Sequence, residues 1–299
     1  MKLTFRIEYR TAWGEMLGAT LCGNDNQPIM LSTGDGIRWE GSAEMTDAPA
    51  GIPISYRYGV YRDGQCIRRE SGTMPHIFCP GKKRNCHYIL DDFWKDLPQE
   101  SYLYSSAFSG DYQSANSIKT MAPADCSITF RALCPCLHHK HQQLGICGRG
   151  AALGNWDCKQ TVLMEEIQAN EWTVTLNAAS LEFPLEYKFV ACNADTKEVE
   201  EWEAHNNRLL CIDGMKKGEI YLTPESEVRF TSSARKVAGT AIPVFSLRSE
   251  GSFGVGDFGD LKKLIDWAVS THQQAIQILP INDTTITNTC CLLYTTPSP

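Results

Sequence analysis

The sequence predicts a mainly β chain: two tandem small β-sandwich modules followed by a strand–helix–strand unit of a parallel sheet. Three observations carry this. Residues 1–222 hold short alternating apolar–polar runs broken by Gly, Asn and Asp, the pattern of a small all-β sandwich. That pattern occurs twice. After Ala238 the period changes, and an apolar stripe at helical spacing appears between two apolar strands.

The first module spans residues 1–95. Met1 to Arg10 alternates Leu3, Phe5, Ile7 and Tyr9 against Thr4, Arg6 and Glu8, which is a strand and lacks the unbroken apolar core of an export signal. The second module spans 125–222 and repeats the first in degenerate form. Leu17 to Gly23 matches Leu144 to Gly148, with Cys22 and Cys147 125 positions apart. Ile54 to Tyr58 matches Leu185 to Phe189, with Tyr56 and Tyr187 131 apart, and Trp39 matches Trp172 at 133. A drifting offset is what loop insertions in a duplicated domain produce. Residues 96–124 read as a linker packed through Tyr102, Tyr104 and Phe108, and residues 223–238 as a second linker with Pro224, Ser226, Ser232 and Ser233. In 239–289, Ala241–Leu247 and Ala275–Ile281 read as buried strands. Between them Asp260–Val269 reads as a helix with Leu261, Leu264, Ile265 and Ala268 inward.

Composition narrows the function. The 299 residues are 42 % hydrophobic and 21 % charged, with a net charge of −7. That balance argues against a nucleic-acid partner, and Lys82-Lys83-Arg84 reads as a solvated loop. No run approaches the ~18 apolar residues of a membrane span. Thirteen Cys at irregular spacing, without an export signal, read as reduced thiols of a cytoplasmic protein. The segment Cys134-Pro135-Cys136-Leu137-His138-His139-Lys140-His141 could suit a soft or borderline cation, but lacks the usual Cys-x₂-Cys spacing and reads as a hairpin loop; no metal and no cofactor are assigned. Nothing indicates the oligomeric state.

The stretch that points to a ligand is Ala152-Leu153-Gly154-Asn155-Trp156-Asp157. A Gly-Asn turn presents Trp156, a later strand offers Lys188, and the next offers Trp202, with Asn207 five residues on. Two indoles flanked by an amine and an amide suit a sugar chain, whose pyranose C–H faces stack on flat rings while its hydroxyls need hydrogen-bond partners. Burial is disfavoured for Trp202 by Glu200, Glu201 and Glu203 around it. This ordered set resembles the family 20 starch-binding module, an immunoglobulin-like β-sandwich. The resemblance implies that Trp156 and Trp202 clamp neighbouring glucoses of an α-glucan and that Lys188 and Asn207 hold their hydroxyls. The first module departs from it: Arg57 stands at the Lys188 position and Arg69-Glu70 at Trp202-Glu203, with only Trp13 and Trp39 as stacking candidates. It is expected to bind glucan weakly, differently or not at all.

Gly254-Val255-Gly256-Asp257-Phe258-Gly259 matches the dinucleotide fingerprint, with Asp283 near a ribose-binding position. Two features argue against that reading. Arg248 to Phe253 separate the glycines from the strand, and Asp257 and Asp260 would repel a pyrophosphate at the helix N-terminus. Gly239–Leu247, Ser252–Leu261 and Gln277–Asp283 together resemble the opening of a glycoside hydrolase family 77 barrel, the 4-α-glucanotransferases. The resemblance implies the first βαβ unit of an incomplete (β/α)₈ barrel. It also implies transfer of α-1,4-glucan segments by a retaining double displacement on a maltose, malto-oligosaccharide or polysaccharide substrate. A barrel needs at least ~200 residues, so the catalytic carboxylates are expected outside this chain, which by itself is expected to be inactive and to bind α-glucan. No catalytic residue is assigned; Asp257, Asp260 and Asp283 read as caps and loop residues. Residues 290–299 depart from the family pattern and are read as an atypical tail. The alternative is a non-catalytic protein that targets another enzyme to glycan.

Overall fold

The computed structural model describes residues 1–22, 27–45, 52–71, 75–81, 85–96, 126–135, 137, 141–212, 214–231, 238–252 and 254–279. The chain is mainly β and forms two compact units, Met1–Ser233 and Ala234–Pro299. The predicted linker 96–124 lies, apart from Asp96, outside the described residues, as do Lys82–Arg84, Asp283 and the tail 290–299.

In the first unit, the described residues before 96 form nine strands: β1 (Lys2–Glu8), β2 (Met16–Leu21), β3 (Ile29–Met30), β4 (Ser32–Thr33), β5 (Arg38–Glu44), β6 (Ile54–Arg62), β7 (Gln65–Arg69), β8 (His76–Phe78) and β9 (His87–Phe93). Leu3, Phe5 and Ile7 point inward as the pattern requires, onto Tyr56, Tyr58, Phe78 and Leu90. Ten more strands follow: β10 (Ser127–Leu133), β11 (Gln142–Gly148), β12 (Val162–Leu163), β13 (Glu165–Gln168), β14 (Glu171–Asn177), β15 (Leu185–Asn193), β16 (Val199–Trp202), β17 (Arg208–Leu210), β18 (Glu219–Leu222) and β19 (Ser226–Glu227). They enclose a second core of Ile128, Phe130, Leu144, Ile146, Leu185 and Phe189.

The pairing of the first nine strands recurs in β10–β18. β1 pairs antiparallel with β5 and parallel with β9; β10 pairs likewise with β14 and β18. β6 pairs with β2, β7 and β8; β15 pairs with β11, β16 and β17. Even the register agrees: Trp39 lies opposite Ile7, and Trp172 opposite Ala132. One anchor of the sequence repeat shifts. Leu17 and Gly18 face Val60 and Gly59 as Leu144 and Gly145 face Ala191 and Val190, so Thr20, not Cys22, holds the position of Cys147.

The two halves share a sheet. β18 runs parallel between β9 and β10, making a nine-stranded sheet in the order β13-β14-β10-β18-β9-β1-β5-β4, with β19 added on β10. Beside that seam lies a buried charge cluster. Arg131 donates to Asp92 Oδ1 at 2.7 Å, to the Asp91 carbonyl at 2.7 Å and to the Thr223 carbonyl at 2.6 Å. Asp92 also accepts from the hydroxyls of Tyr56 (2.9 Å) and Tyr58 (2.6 Å). Lys95 lies 2.5 Å from Glu225 and 3.7 Å from Glu171, and His76 Nδ1 lies 3.5 Å from Glu225 as a charge contact without hydrogen-bond geometry. The Glu225 side chain is therefore buried, and Val228 and Phe230 are core residues, which corrects the reading of 223–238 as a linker from its start. Glu225 there answers to buried counter-charges, whereas Glu227 and Arg229 are exposed.

The second unit contains β20 (Gly239–Ile242), a 3₁₀ turn at Val244–Ser246, α1 (Phe258–Ser270) and β21 (Ala275–Ile278), with β20 and β21 parallel. The strands are shorter and less buried than expected. Pro243, which cannot donate to a ladder, ends β20, and Ile278 and Leu279 are partly exposed. Ala268 is buried and Leu261 and Leu264 half-buried on α1, whereas Ile265 is exposed. Among the described residues no helix is long and apolar enough to cross a membrane.

Candidate functional site

The site is built on the outer face of the sheet that contains β11 and β15, away from the core. Alternation places Leu185, Tyr187 and Phe189 inward and Lys188 and Val190 outward. Trp202 of β16 lies opposite Val190, and its ring packs on Cys147, Val190 and Cys192. That small apolar platform leaves Trp202 half-buried. Glu203, whose charge suggested an exposed context, is itself buried.

Trp156 comes from the loop between β11 and β12. Leu153 anchors the loop in the core, and Gly150 accepts from the backbone amides of Leu153 (3.1 Å) and Asn155 (3.0 Å). Gly154, Asn155 and Trp156 have φ of 71°, 46° and 66°. Gly154 is required: a Cβ there would lie 2.5 Å from the Gln160 carbonyl. Asn tolerates the left-handed region, but a Trp held there costs about 1–2 kcal/mol, strain of the kind that gathers at binding sites. Asp157 fixes the exit by accepting from Lys159 N (2.9 Å) and Gln160 Nε2 (3.0 Å); these bonds, the Lys159 amide foremost, hold its pKa below the usual carboxylate value.

The two indoles meet with centroids 6.1 Å apart and planes inclined at 37°. Lys188 reaches the loop after Trp202, donating to the carbonyls of Glu203 (3.2 Å) and His205 (2.6 Å) and keeping one of its three hydrogens for another acceptor. Asn207 is exposed and donates through its side-chain amide to Glu186 at 2.8 Å, a bond in which its carbonyl oxygen takes no part. The four residues singled out from sequence thus share one surface: two tilted aromatic platforms rimmed by an ammonium and an amide. Sequence reasoning missed the partners that hold the loop, Glu203 and Arg208. Their only signal was the spacing of a carboxylate and a guanidinium across a short loop.

The other candidates fall elsewhere. Trp39 is a core residue whose indole donates to the Tyr9 carbonyl at 3.1 Å, so it is no stacking platform; Trp13 is fully exposed. Cys134 is a buried core side chain, His141 is exposed, and Cys136, His138 and His139 lie outside the described residues. Among the described residues no group of three His, Cys, Asp or Glu could hold a metal ion. The acids at the fingerprint serve the start of α1. Asp257 caps α1 by accepting from Gly259 (2.7 Å) and Asp260 (3.1 Å), and Asp260 accepts back from Asp257 at 3.1 Å. Asp260 also accepts from Ser249 and Ser252, which hold its pKa low. Gly256 packs so tightly that a Cβ would stand 2.1 Å from the Val244 carbonyl.

Comparison with known proteins gives two family matches. Residues 125–219 match the starch binding domain model, and residues 242–299 match glycoside hydrolase family 77, 4-alpha-glucanotransferase; the second match continues through the stretch 290–299 that the sequence reading sets apart. A 4-alpha-glucanotransferase of Oryza sativa subsp. japonica is 28 % identical over 95 % of this chain and 32 % of its own length. One from Chlamydia trachomatis serovar D is 52 % identical over 15 % of this chain and 9 % of its own. The chain spans about a third of the rice relative's length. Among solved structures, the family 20 module of the maltotetraose-forming amylase from Pseudomonas saccharophila STB07 aligns at 18 % identity with a TM-score of 0.26, over 32 % of this chain and 98 % of that one.

Proposed function

We propose that this chain, with a starch-binding-domain segment and a glycoside hydrolase family 77 segment, is the α-glucan-binding part of a 4-alpha-glucanotransferase. The carrying observation is the Trp156–Trp202 pair, 6.1 Å apart at 37°, with Lys188 and Asn207 on its rim, inside the segment that matches the starch binding domain. Two inclined platforms suit consecutive glucoses of a bent α-1,4-linked chain, each pyranose stacking its C–H face on one indole. Lys188 and the Asn207 carbonyl then meet the hydroxyls. The ligand is starch, glycogen or a malto-oligosaccharide.

In this reading residues 1–95 and 125–222 are tandem immunoglobulin-like β-sandwich modules. The matched strand pairing of β1–β9 and β10–β18 supports that division. The β20–α1–β21 unit is the first βαβ step of a (β/α)₈ barrel, supported by its parallel pairing and the family match. The parent enzyme transfers α-1,4-glucan segments by a retaining double displacement through paired carboxylates. No catalytic residue is assigned in this chain; Asp257 and Asp260 form the capping box of α1. A cytoplasmic setting agrees with the ten described cysteines, which are free thiols.

Calorimetric titration with β-cyclodextrin, a compact mimic of the amylose curve, tests the proposal. Binding that disappears in Trp202→Ala is the expected result. A chain that folds but does not bind would leave the Trp pair as a packing feature and refute the glucan reading.

A further inference from the structure

The buried side of the loop that carries Asn207 holds a side-chain ion pair between Glu203 and Arg208. Arg208 Nε lies 3.0 Å from each carboxylate oxygen of Glu203, and Nη2 lies 2.8 Å from Oε2. Glu203 is buried, and its Oε1 also accepts from the Phe189 amide at 2.8 Å. The guanidinium sits 5.0 Å from the Phe189 ring centroid and donates to the Glu227 carbonyl at 2.9 Å. The loop 203–208 is therefore pinned at both ends to β15: Glu203 beside Trp202, and Arg208 beside Asn207.

The first half shows what the clamp does when no sugar residues surround it. Glu70 occupies the place of Glu203 and accepts from the Tyr58 amide at 2.7 Å, as Glu203 does from Phe189. His76 lies opposite Tyr56 as Arg208 lies opposite Tyr187, and its Nε2 meets Glu70 at 3.0 Å. There the cation turns to Asp92 (3.6 Å) and Glu225 (3.5 Å), inside the charge cluster. Arg69 stands at the place of Trp202, and Pro75 precedes the cation where Asn207 does in the second half. The anion is common to both halves. At this position the second half has a guanidinium that grips the carboxylate with two nitrogens over Phe189, whereas the first has an imidazole that stacks on Tyr56 at 5.2 Å and meets the carboxylate through one nitrogen.

We propose that Glu203 and Arg208 are positioning residues of the glucan site: their ion pair sets the loop geometry that brings Trp202 to 6.1 Å from Trp156 and holds Asn207 at the rim. This inference rests on the glucan-binding reading. A lysine at 208 keeps the charge but cannot reproduce the bidentate fork or lie flat on Phe189. A carboxamide at 203 keeps one acceptor for the Phe189 amide while removing the charge that orients Arg208.

The test uses the whole chain, with Arg208→Lys, Glu203→Gln and Trp202→Phe. Two indoles at this separation couple excitonically, so their circular-dichroism couplet reports Trp156–Trp202 geometry with no sugar present; Trp202→Phe gives its zero. The expected result is a weakened couplet in Arg208→Lys and Glu203→Gln, together with a loss of β-cyclodextrin affinity of roughly tenfold or more, the factor that ~1.4 kcal/mol represents. Thermal midpoints are followed in parallel. Should Glu203→Gln fail to fold, Arg208→Lys, which leaves the buried carboxylate a cation, decides. Wild-type couplet and affinity in Arg208→Lys would overturn the proposal, as would lost affinity with an unchanged couplet, which would make Arg208 a direct ligand contact. Absence of binding by the unsubstituted chain would defeat the glucan reading, while the couplet would still read the indole geometry.

Discussion

Asp92→Asn is the sharpest perturbation of the seam between the halves. The exchange is isosteric, so it opens no cavity, and its effect is one of charge and hydrogen bonding. Asp92 is buried and serves three donors within 2.9 Å: Arg131 Nη2, Tyr58 Oη and Tyr56 Oη. A carboxamide offers one acceptor oxygen and turns an N–H toward the donors that remain. The tyrosine hydroxyls can rotate to accept, but Arg131 cannot, and it loses the charge that offsets its own burial. Breaking a buried pair by neutralising one partner costs about 3–5 kcal/mol. At about 2–4 °C per kcal/mol for a unit of this size, the thermal midpoint of the folded β unit should fall by roughly 6–20 °C. Arg6→Gln is the control. Arg6 and Glu40 lie just as close, 2.7 Å, but are exposed, and such pairs contribute about 0–1 kcal/mol. Urea unfolding of the two variants gives the comparison. A loss under about 1 kcal/mol for Asp92→Asn would refute the argument that the seam depends on charge pairing. So would strict additivity of Asp92→Asn with Arg131→Met, because contacting partners must couple.

Three further predictions follow from single groups. Burial pulls the His76 pKa down, but the charges of Asp92 and Glu225 outweigh it and raise the value to about 10. The stability it contributes is fully present below the unfolded value of 6.5 and is lost as pH rises through about 10. Urea midpoints should decline over that window with a slope of at most ~1.4 kcal/mol per pH unit, and His76→Gln should flatten the decline; an unchanged slope would refute it. Gly154→Ala forces a Cβ onto the Gln160 carbonyl at φ +71°, so β-cyclodextrin affinity should fall by roughly tenfold, ~1.4 kcal/mol, with binding at full strength as the contrary result. Asp257→Ala removes one side of the α1 capping box, worth about 1 kcal/mol, and hydrogen exchange at the Gly259 and Asp260 amides should speed up; unaltered protection would contradict the capping role.

What the sequence revealed followed from local pattern. Leu3, Phe5 and Ile7 alternate and lie in the core, and the Asp257–Asp260 spacing marked a helix start that the structure shows as a capping box. Trp156, Lys188, Trp202 and Asn207 stood out in sequence through an ordered motif, and in the structure the indoles of Trp156 and Trp202 lie 6.1 Å apart. The errors came from long-range partners. Trp39 reads as a stacking candidate in isolation, yet β1 and β5 place it inward opposite Ile7. Glu203 reads as an exposed acid, yet it is buried against Arg208 across a loop, and Glu225, inside a stretch read as a linker, is buried against Lys95, distant in sequence. Composition cannot distinguish a solvated carboxylate from a paired one, because the difference lies in the partner's position. The strand β18, four residues long, likewise carries no sign of joining both halves in one sheet.

The same limit explains why the repeat is faint in sequence but regular in pairing. Pairing depends on which face is apolar, and Leu17, Tyr56 and Tyr58 satisfy that as well as Leu144, Tyr187 and Phe189 do. The outward positions are free of that constraint, and there the halves diverge: Arg57 against Lys188, Arg69 against Trp202, Pro75 against Asn207. The carboxylate at Glu70 and Glu203 belongs to neither class. It faces inward and satisfies a backbone amide of the central strand, so it persists while its cation changes. In the second half that cation lies under a loop bordered by an indole. In the first it faces Glu225, a residue contributed by the other half. Glu70 is thereby coupled through His76 to the seam, which is a physical reason to expect the first half to brace the second.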